Sequence, residues 1–445
     1  MTKKRIIEAG KSLLIILLLA SALLLARETN LFNGKLTSVP MVRNIAQRFR
    51  SLAERDSSPD GSDRENRPFS PAASPFFMAV TWEDGARYGV KYDDAQLNQL
   101  YGRFSVALGE ALGSSGKAEP VTDAEWKEAL SGAGVFFDFL YDQPLSVLSG
   151  WLGSSINDVS ASHTVRHLCL AGAGDDLVLY YIRSKDGRAY RCDTALDFSY
   201  ISPQLENYAP NGAQFAFELG EKFKLLYPYT MLLKELPEIS SVTVTNPLHS
   251  KVTPESLLSI FNMNSFVANS YTETDGSVVY VEGSTESEST LRVDSSGSVS
   301  YSQTGMGNLK VSGTGPIPGT VQVIEKAFSL VNGSLGAWCG DAALSLSKIA
   351  YNPLEQTYTV CFDYIVNGLP VFLAGGERAA EIKVKNGVIS KAALNFREFG
   401  PGSELQTPLP EIQAAAAVMA KYGEGEPLLV YEETGSEISA VWVKN

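Results

Sequence analysis

Apolar and polar positions alternate along this chain in runs that predict its elements before any chemistry is considered. From about residue 75 onward, "FFMAVTW" (76–82) reads as a strand that ends at an Asp84-Gly85 turn. Leu97, Leu100, Phe104, Leu108 and Leu112 then recur on one face of a helix. "TDAE" (122–125) is a capping box, with Thr122 as N-cap and Glu125 at N3; the helix it opens carries Trp126 and stops at Gly132. "GVFFDFLY" (134–141) predicts a strand and Pro144 to Leu152 a short helix. Strands follow at 163–171, 176–184 and 188–193, the last two joined across Asp186-Gly187. Phe215 to Phe217 is a further candidate strand, and "LYPYTMLL" (226–233) an aromatic-rich packing segment.

The remainder reads as an internal repeat. The first copy has a helix, "TPESLLSIFNMN" (253–264), a strand pair across Asp275-Gly276, and a second strand–turn–strand in "TLRVDSSGSVSY" (290–301). The second has a helix, "TVQVIEKAFSLV" (320–331), strands across Asn367-Gly368, and "EIKVKNGVISKAALNF" (381–396). The turn glycines Gly276 and Gly297 lie 21 residues apart, and Gly368 and Gly387 lie 19 apart. Two α+β units, each a helix on an antiparallel sheet, account for this order. A helix at 410–422 and a hairpin at 428–443 complete the chain.

The N-terminus follows a different pattern. Lys3, Lys4 and Arg5 precede an uninterrupted apolar run from Ser12 to Ala26. Counted from Ile6 the stretch covers about twenty residues, enough to cross a bilayer core, with Lys11 able to snorkel to the interface. Ala20-Ser21-Ala22 matches a signal-peptidase site, yet Leu23 to Ala26 continue the apolar run where a cleaved leader turns polar. A retained anchor at 12–27 is therefore expected. The excess of Lys and Arg before the run places residues 1–11 in the cytoplasm and the body outside. Val42, Ile45, Phe49 and Leu52 fall at helical spacing, and "ERDSSPDGSDRENRPFSPAAS" (54–74) has the composition of a solvated tether.

The fold class expected is thus α+β: one N-terminal transmembrane helix, then a multi-domain extracytoplasmic body of antiparallel sheets packed with helices. The expected divisions are 1–11 cytoplasmic, 12–27 anchor, 28–74 juxtamembrane helix and tether, 75–248 N-terminal domain, 249–315 middle domain and 316–445 C-terminal domain. A net charge of −13 disfavours nucleic acid and broad docking on anionic lipid. Cys169 and Cys192, and Cys339 and Cys361, form two local pairs. Outside the membrane that spacing permits two disulfides. The plainer reading is four separate buried thiols.

Catalytic and cofactor motifs are missing. His163-x3-His167 lacks the Glu of a zinc-protease helix; on a strand, His167 and Cys169 share a face, but no third ligand is apparent. "GSSGKA" (113–118) and "GAGDDL" (172–177) depart from the phosphate-loop and dinucleotide patterns, and no G-x-S-x-G occurs. These sequences predict no cofactor, no metal and no enzyme activity, and favour a binding or regulatory role.

Three stretches carry a family resemblance. "VTDAEWKEALSGAGVFFDFLYDQPLSVLSGWLG" (121–153) resembles the N-terminal domain of the YycH family. "YTETDGSVVYVEG" (271–283) with "TLRVDSSGSVSY" (290–301) is similar to its middle domain. "FDYIVNGLPVFL" (362–373) with "AAEIKVKNGVI" (379–389) resembles the C-terminal domain shared by YycH and its companion YycI. The resemblance implies a single-pass membrane protein of Firmicutes that regulates a sensor histidine kinase of the WalK (YycG) type, controlling cell-wall metabolism. It implies contacts through the transmembrane helix, for which Leu13, Ile16, Leu19, Ala22 and Ala26 are the candidates; Ala22 and Ala26 form a small-x3-small pair. The implied partners are that kinase and a YycI-like companion. A second reading is an extracytoplasmic binding module for a wall fragment, peptide or lipid, with Tyr227 and Tyr229 lining its groove. A secreted hydrolase would need converging titratable groups, which the sequence does not show.

Overall fold

A computed structural model describes residues 74–445, apart from 157–158, 286, 306 and 312–318. The anchor at 12–27, with Leu13, Ile16, Leu19, Ala22 and Ala26, and the tether up to residue 73 lie outside the described residues. Among the described residues no helix is long and apolar enough to cross a membrane.

The N-terminal part is a seven-stranded sheet. Its strands are β1 (Phe77–Thr81), β2 (Arg87–Lys91), β3 (Glu119–Pro120), β4 (Gly134–Pro144), β5 (Thr164–Ala173), β6 (Asp176–Arg183) and β7 (Arg188–Asp197), in the order β2-β1-β4-β5-β6-β7-β3. Period-two alternation fixes its two faces. Val135, Phe137 and Phe139 of β4 meet helix α1 (Asp94–Ser114), whose Leu97, Leu100, Phe104, Leu108 and Leu112 form the predicted stripe. Phe136 and Leu140 point the other way, into a core continuous with the C-terminal half. The Thr122 half of the expected capping box forms, with Glu125 N donating to Thr122 Oγ1, whereas the Glu125 carboxylate faces Arg191; helix α2 (Asp123–Ser131) ends at Gly132. Helix α3 (Leu145–Trp151) follows β4.

The candidate strand at 215–217 shortens to β8 (Gln214–Phe215), paired with β9 (Met231–Leu232). Its continuation curls into a 3-10 turn because Glu218 accepts from Phe215 N and pairs with the buried Arg87. A small sheet joins β10 (Ile239–Thr245) to later strands.

The predicted repeat exists, with a shifted alignment. The first unit is helix α4 (Pro254–Ile260) and a meander of β11 (Asn269–Thr272), β12 (Val278–Gly283), β13 (Ser287–Val293) and β14 (Ser298–Gly305). The helix is shorter than its sequence pattern, ending before Asn262, which adopts a left-handed φ of 54°. The second unit is helix α5 (Thr320–Ser334), then β15 (Ala343–Asn352), β16 (Thr357–Val366), β17 (Leu369–Phe372), β18 (Ala380–Lys385) and β19 (Val388–Asn395). Its meander runs β15-β16-β18-β19, with β17 diverted to pair elsewhere. The turn at Gly387 therefore matches that at Gly297, but the counterpart of the Gly276 turn is 353–356. Asn367-Gly368 belongs to the diverted strand. The last strands of the two meanders, β14 and β19, pair antiparallel, as a two-fold axis between the units requires, so 269–305 and 343–395 share one sheet. The chain closes with β20 (Glu398–Gln406), helix α6 (Glu411–Tyr422), β21 (Pro427–Glu432), β22 (Glu437–Ile438) and β23 (Ala440–Lys444); β21 pairs parallel to β17.

The bridge reading of the cysteines is corrected: all four are buried and none is in a disulfide. Strand β6 lies between Cys169 and Cys192. Two strand spacings of about 4.8 Å exceed the Cα separation a disulfide tolerates. Their side chains also enter different cores. Cys339 Sγ donates to Ala342 O instead. Burial pushes the Cys169 thiol up to about 12 and that of Cys361 to about 11, which leaves both unreactive.

Candidate functional site

Two irregularities in the first sheet meet at one place. The β4–β5 register breaks between Asp138 and Gln143, and the β5–β6 register breaks between Val165 and Leu168. Bulges re-aim side chains, and here the second break takes Arg166 and His167 out of register with β6, while His167 still pairs with Asp138 of β4. Leu140 within the first break holds φ 61°, a left-handed conformation costly for a leucine. It is held there because Leu140 N donates to Asp138 Oδ1 at 2.7 Å.

Arg166 is the hub. Its Nε and Nη2 donate to the two oxygens of Asp138, each at 2.8 Å, and its Nη1 and Nη2 donate to Glu426, just ahead of β21. The planar guanidinium satisfies both carboxylates in a bidentate fashion, which a lysine cannot do. Glu426 also accepts from Thr230 Oγ1 (3.2 Å) and Asn445 Nδ2 (2.6 Å). His167 is sandwiched between Phe136 and Tyr227, with ring centroids 5.7 and 5.4 Å away; its Nε2 lies 3.3 Å from Asp138 Oδ2 but makes no well-formed hydrogen bond. Burial alone would raise the Asp138 carboxyl, but Arg166 and then His167 outweigh it and hold Asp138 well below the usual range. Glu426 is likewise raised by burial and lowered further by Arg166, with a net downward shift.

The cluster forms the floor of a cleft of about 1140 Å³. Its walls come from Leu140 and Tyr141 of β4, Lys224 to Pro228, Ser347 to Ile349 of β15, and the Glu424–Glu426 segment. Burial raises the Tyr227 phenol, so it stays neutral and presents an aromatic face. A cleft at the joint of sheets, with an apolar wall and a few fixed polar groups, is built to bind. Ser184 Oγ donates to Asp142 Oδ1 at 2.6 Å in the cleft wall, while Asp138 and Glu426 are held in ion pairs with Arg166.

The sequence-derived candidates distribute unevenly. Tyr227 lines the cleft; Tyr229 does not, because it is buried against Trp126 at 5.8 Å and donates to Asp123. His163 bonds Tyr181 Oη through Nδ1 at 2.8 Å, so the two histidines serve different neighbourhoods. Among the described residues no group of three or more His, Cys, Asp or Glu side chains is placed to hold a metal. Asp138, Arg166 and Glu426 were not singled out from sequence. The one available signal was an aspartate inside the otherwise apolar "GVFFDFLY".

The body is a mixed α+β protein of antiparallel sheets with a cleft at their joint. A solved structure shares this architecture: YycH from Bacillus subtilis matches with a TM-score of 0.52 over 85% of this chain and 95% of that chain, at 12% sequence identity. At that identity the likeness is one of fold. No protein-family profile and no curated protein matches the sequence.

Proposed function

We propose that this protein works by binding, as a membrane-anchored accessory regulator of a sensor histidine kinase of the WalK (YycG) type in cell-wall control. The observation that carries the reading is the YycH-like architecture across 85% of the chain, in agreement with the resemblance of 121–153, 271–301 and 362–389. In physical terms, the regulator binds one kinase state better than the other and shifts its population; a difference of about 1.4 kcal/mol changes the ratio tenfold. The helix at 12–27 anchors the chain with the body outside and offers Leu13, Ile16, Leu19, Ala22 and Ala26 to the kinase helices, with a YycI-like companion as a further partner. Photo-crosslinking in membranes from a residue within 13–26 tests this. Capture of a histidine kinase supports it; a mature chain beginning near Leu23, with no kinase captured, sinks it.

The cleft favours a second reading, a ligand-binding module, because Tyr227 and the fixed Arg166 cluster line an accessible space. A panel of wall fragments, peptides and lipids that leaves the thermal midpoint unchanged argues against it.

A further inference from the structure

The two units of the large sheet end differently. In the second unit the first half of the outermost strand, residues 343–347 of β15, is covered: β4 packs beside it, and Gln143 Nε2 donates to Leu346 O at 2.9 Å. The equivalent strand of the first unit, β11, ends the sheet on the other side, and no described residue pairs with its outer edge. All four β11 residues are exposed. Phe266 and Val267 just ahead of it expose 97% and 57% of their surface, and Tyr271 within it 54%. Native sheets protect such edges by keeping them short or with lysine, proline or a bulge; β11 is short, at four residues, but Asn269–Thr272 has no lysine, proline or bulge, and its register with β12 is unbroken. The edge strand of the first sheet, β2, is closed by contrast: the Asn211 side chain accepts from Gly89 N and donates to Gly89 O.

Charge decides what fits the open edge. Residues 252–305 contain seven Asp and Glu and one cation, Arg292, already engaged with Glu273, Asp275 and Asp294. A second copy would set this acidic surface against itself. We propose that β11 is a strand-addition site for an extended, basic segment of another protein. The segment's backbone extends the sheet, its apolar side chains meet Phe266 and Tyr271, and its Lys or Arg residues meet the carboxylates. The surface stands independently of the kinase reading.

The test uses the full chain in detergent and a fluorescein-labelled peptide, acetyl-KVTVTVK-amide, read by anisotropy. Saturable binding is expected, weakened by salt. It should fall at least about tenfold with Glu in place of both lysines, with prolines in place of both threonines, and with the protein variant F266S/Y271K. That variant changes only exposed side chains, and an unchanged thermal midpoint confirms that it folds. Absence of binding, or equal binding of the proline peptide or by the variant, overturns the proposal. So does self-association of the chain through β11, which would name a second copy as the occupant.

Discussion

The two helix-and-meander units share a topology and differ in what their outermost strands face. The first half of β15, 343–347, is enclosed by the N-terminal sheet, and the enclosure is polar as well as apolar: Tyr141 Oη donates to Asp363 at 2.9 Å across the joint, and Gln143 reaches the β15 backbone. β11, at the corresponding place, pairs with β12 on one side, and no described residue pairs with its outer edge. The lesson is that the meander alone does not determine whether its edge is buried. What buries the first half of β15 is the N-terminal sheet, joined to it through a continuous apolar core and by polar and charged pairs across the joint.

Those pairs are of two kinds. Glu426 and Asp138 share a bidentate guanidinium and further donors, and both carboxyls are held low. Glu411, at the start of α6, has only Lys91 and the Leu233 amide, and burial wins over both, so its carboxyl is raised. Asp363 behaves as Glu411 does: burial outweighs Arg378 and Tyr141. The number of donors in fixed geometry, rather than depth alone, decides the sign.

Breaking the hub should have the largest effect. Arg166→Ala leaves two buried carboxylates facing each other, and a loss of about 3–5 kcal/mol is expected from urea unfolding at pH 7. The pH dependence has a definite sign. In the native protein the depressed carboxyls contribute stability that is fully present above the unfolded carboxylate range and lost as pH falls through their lower folded values. Without Arg166, burial raises both, so the penalty is relieved as pH falls toward 5. The deficit of the variant should shrink between pH 7 and pH 5; a constant deficit means that Arg166 acts through packing alone.

Next comes the weaker pair. Lys91→Met alone strands Glu411 and should cost about 3 kcal/mol, whereas K91M with E411L should recover most of it, since apolar replacement of a buried pair is often neutral. Equal losses in the single and double variants would show that the contact is not electrostatic. Gln143→Ala leaves the Leu346 carbonyl without its donor, with an expected cost of about 1–2 kcal/mol, and faster hydrogen exchange confined to β15. The smallest effect belongs to the open edge. Phe266→Ser or Tyr271→Thr should change stability by less than about 0.5 kcal/mol. A larger loss would place these side chains against something that the described residues do not include.

Local chemistry was readable in the sequence because its determinants are local. The stripe of α1, the Thr122 cap and the hairpin turns at Gly187, Gly276 and Gly297 each depend on residues a few positions apart. The repeat was readable as an order of elements but misaligned, because glycine turns look alike and the diverted β17 inserts one. The cysteine pairing was not readable: spacing along the chain says nothing of the strand between Cys169 and Cys192. The cleft was nearly invisible, since Asp138 and Arg166 are 28 residues apart and Glu426 joins from 260 residues beyond Arg166. Only the register breaks and the fold bring them together.

Hydrogen exchange on the full chain, resolved by segment, compares the two edges most directly. Amides of 343–347 in β15 should exchange only through opening of the whole joint, and those of 269–272 through cheap local opening. Adding the basic peptide should protect 269–272 and leave β15 unchanged. Equal and slow exchange of both segments in the chain alone would contradict the contrast, because it would mean that β11 is already covered.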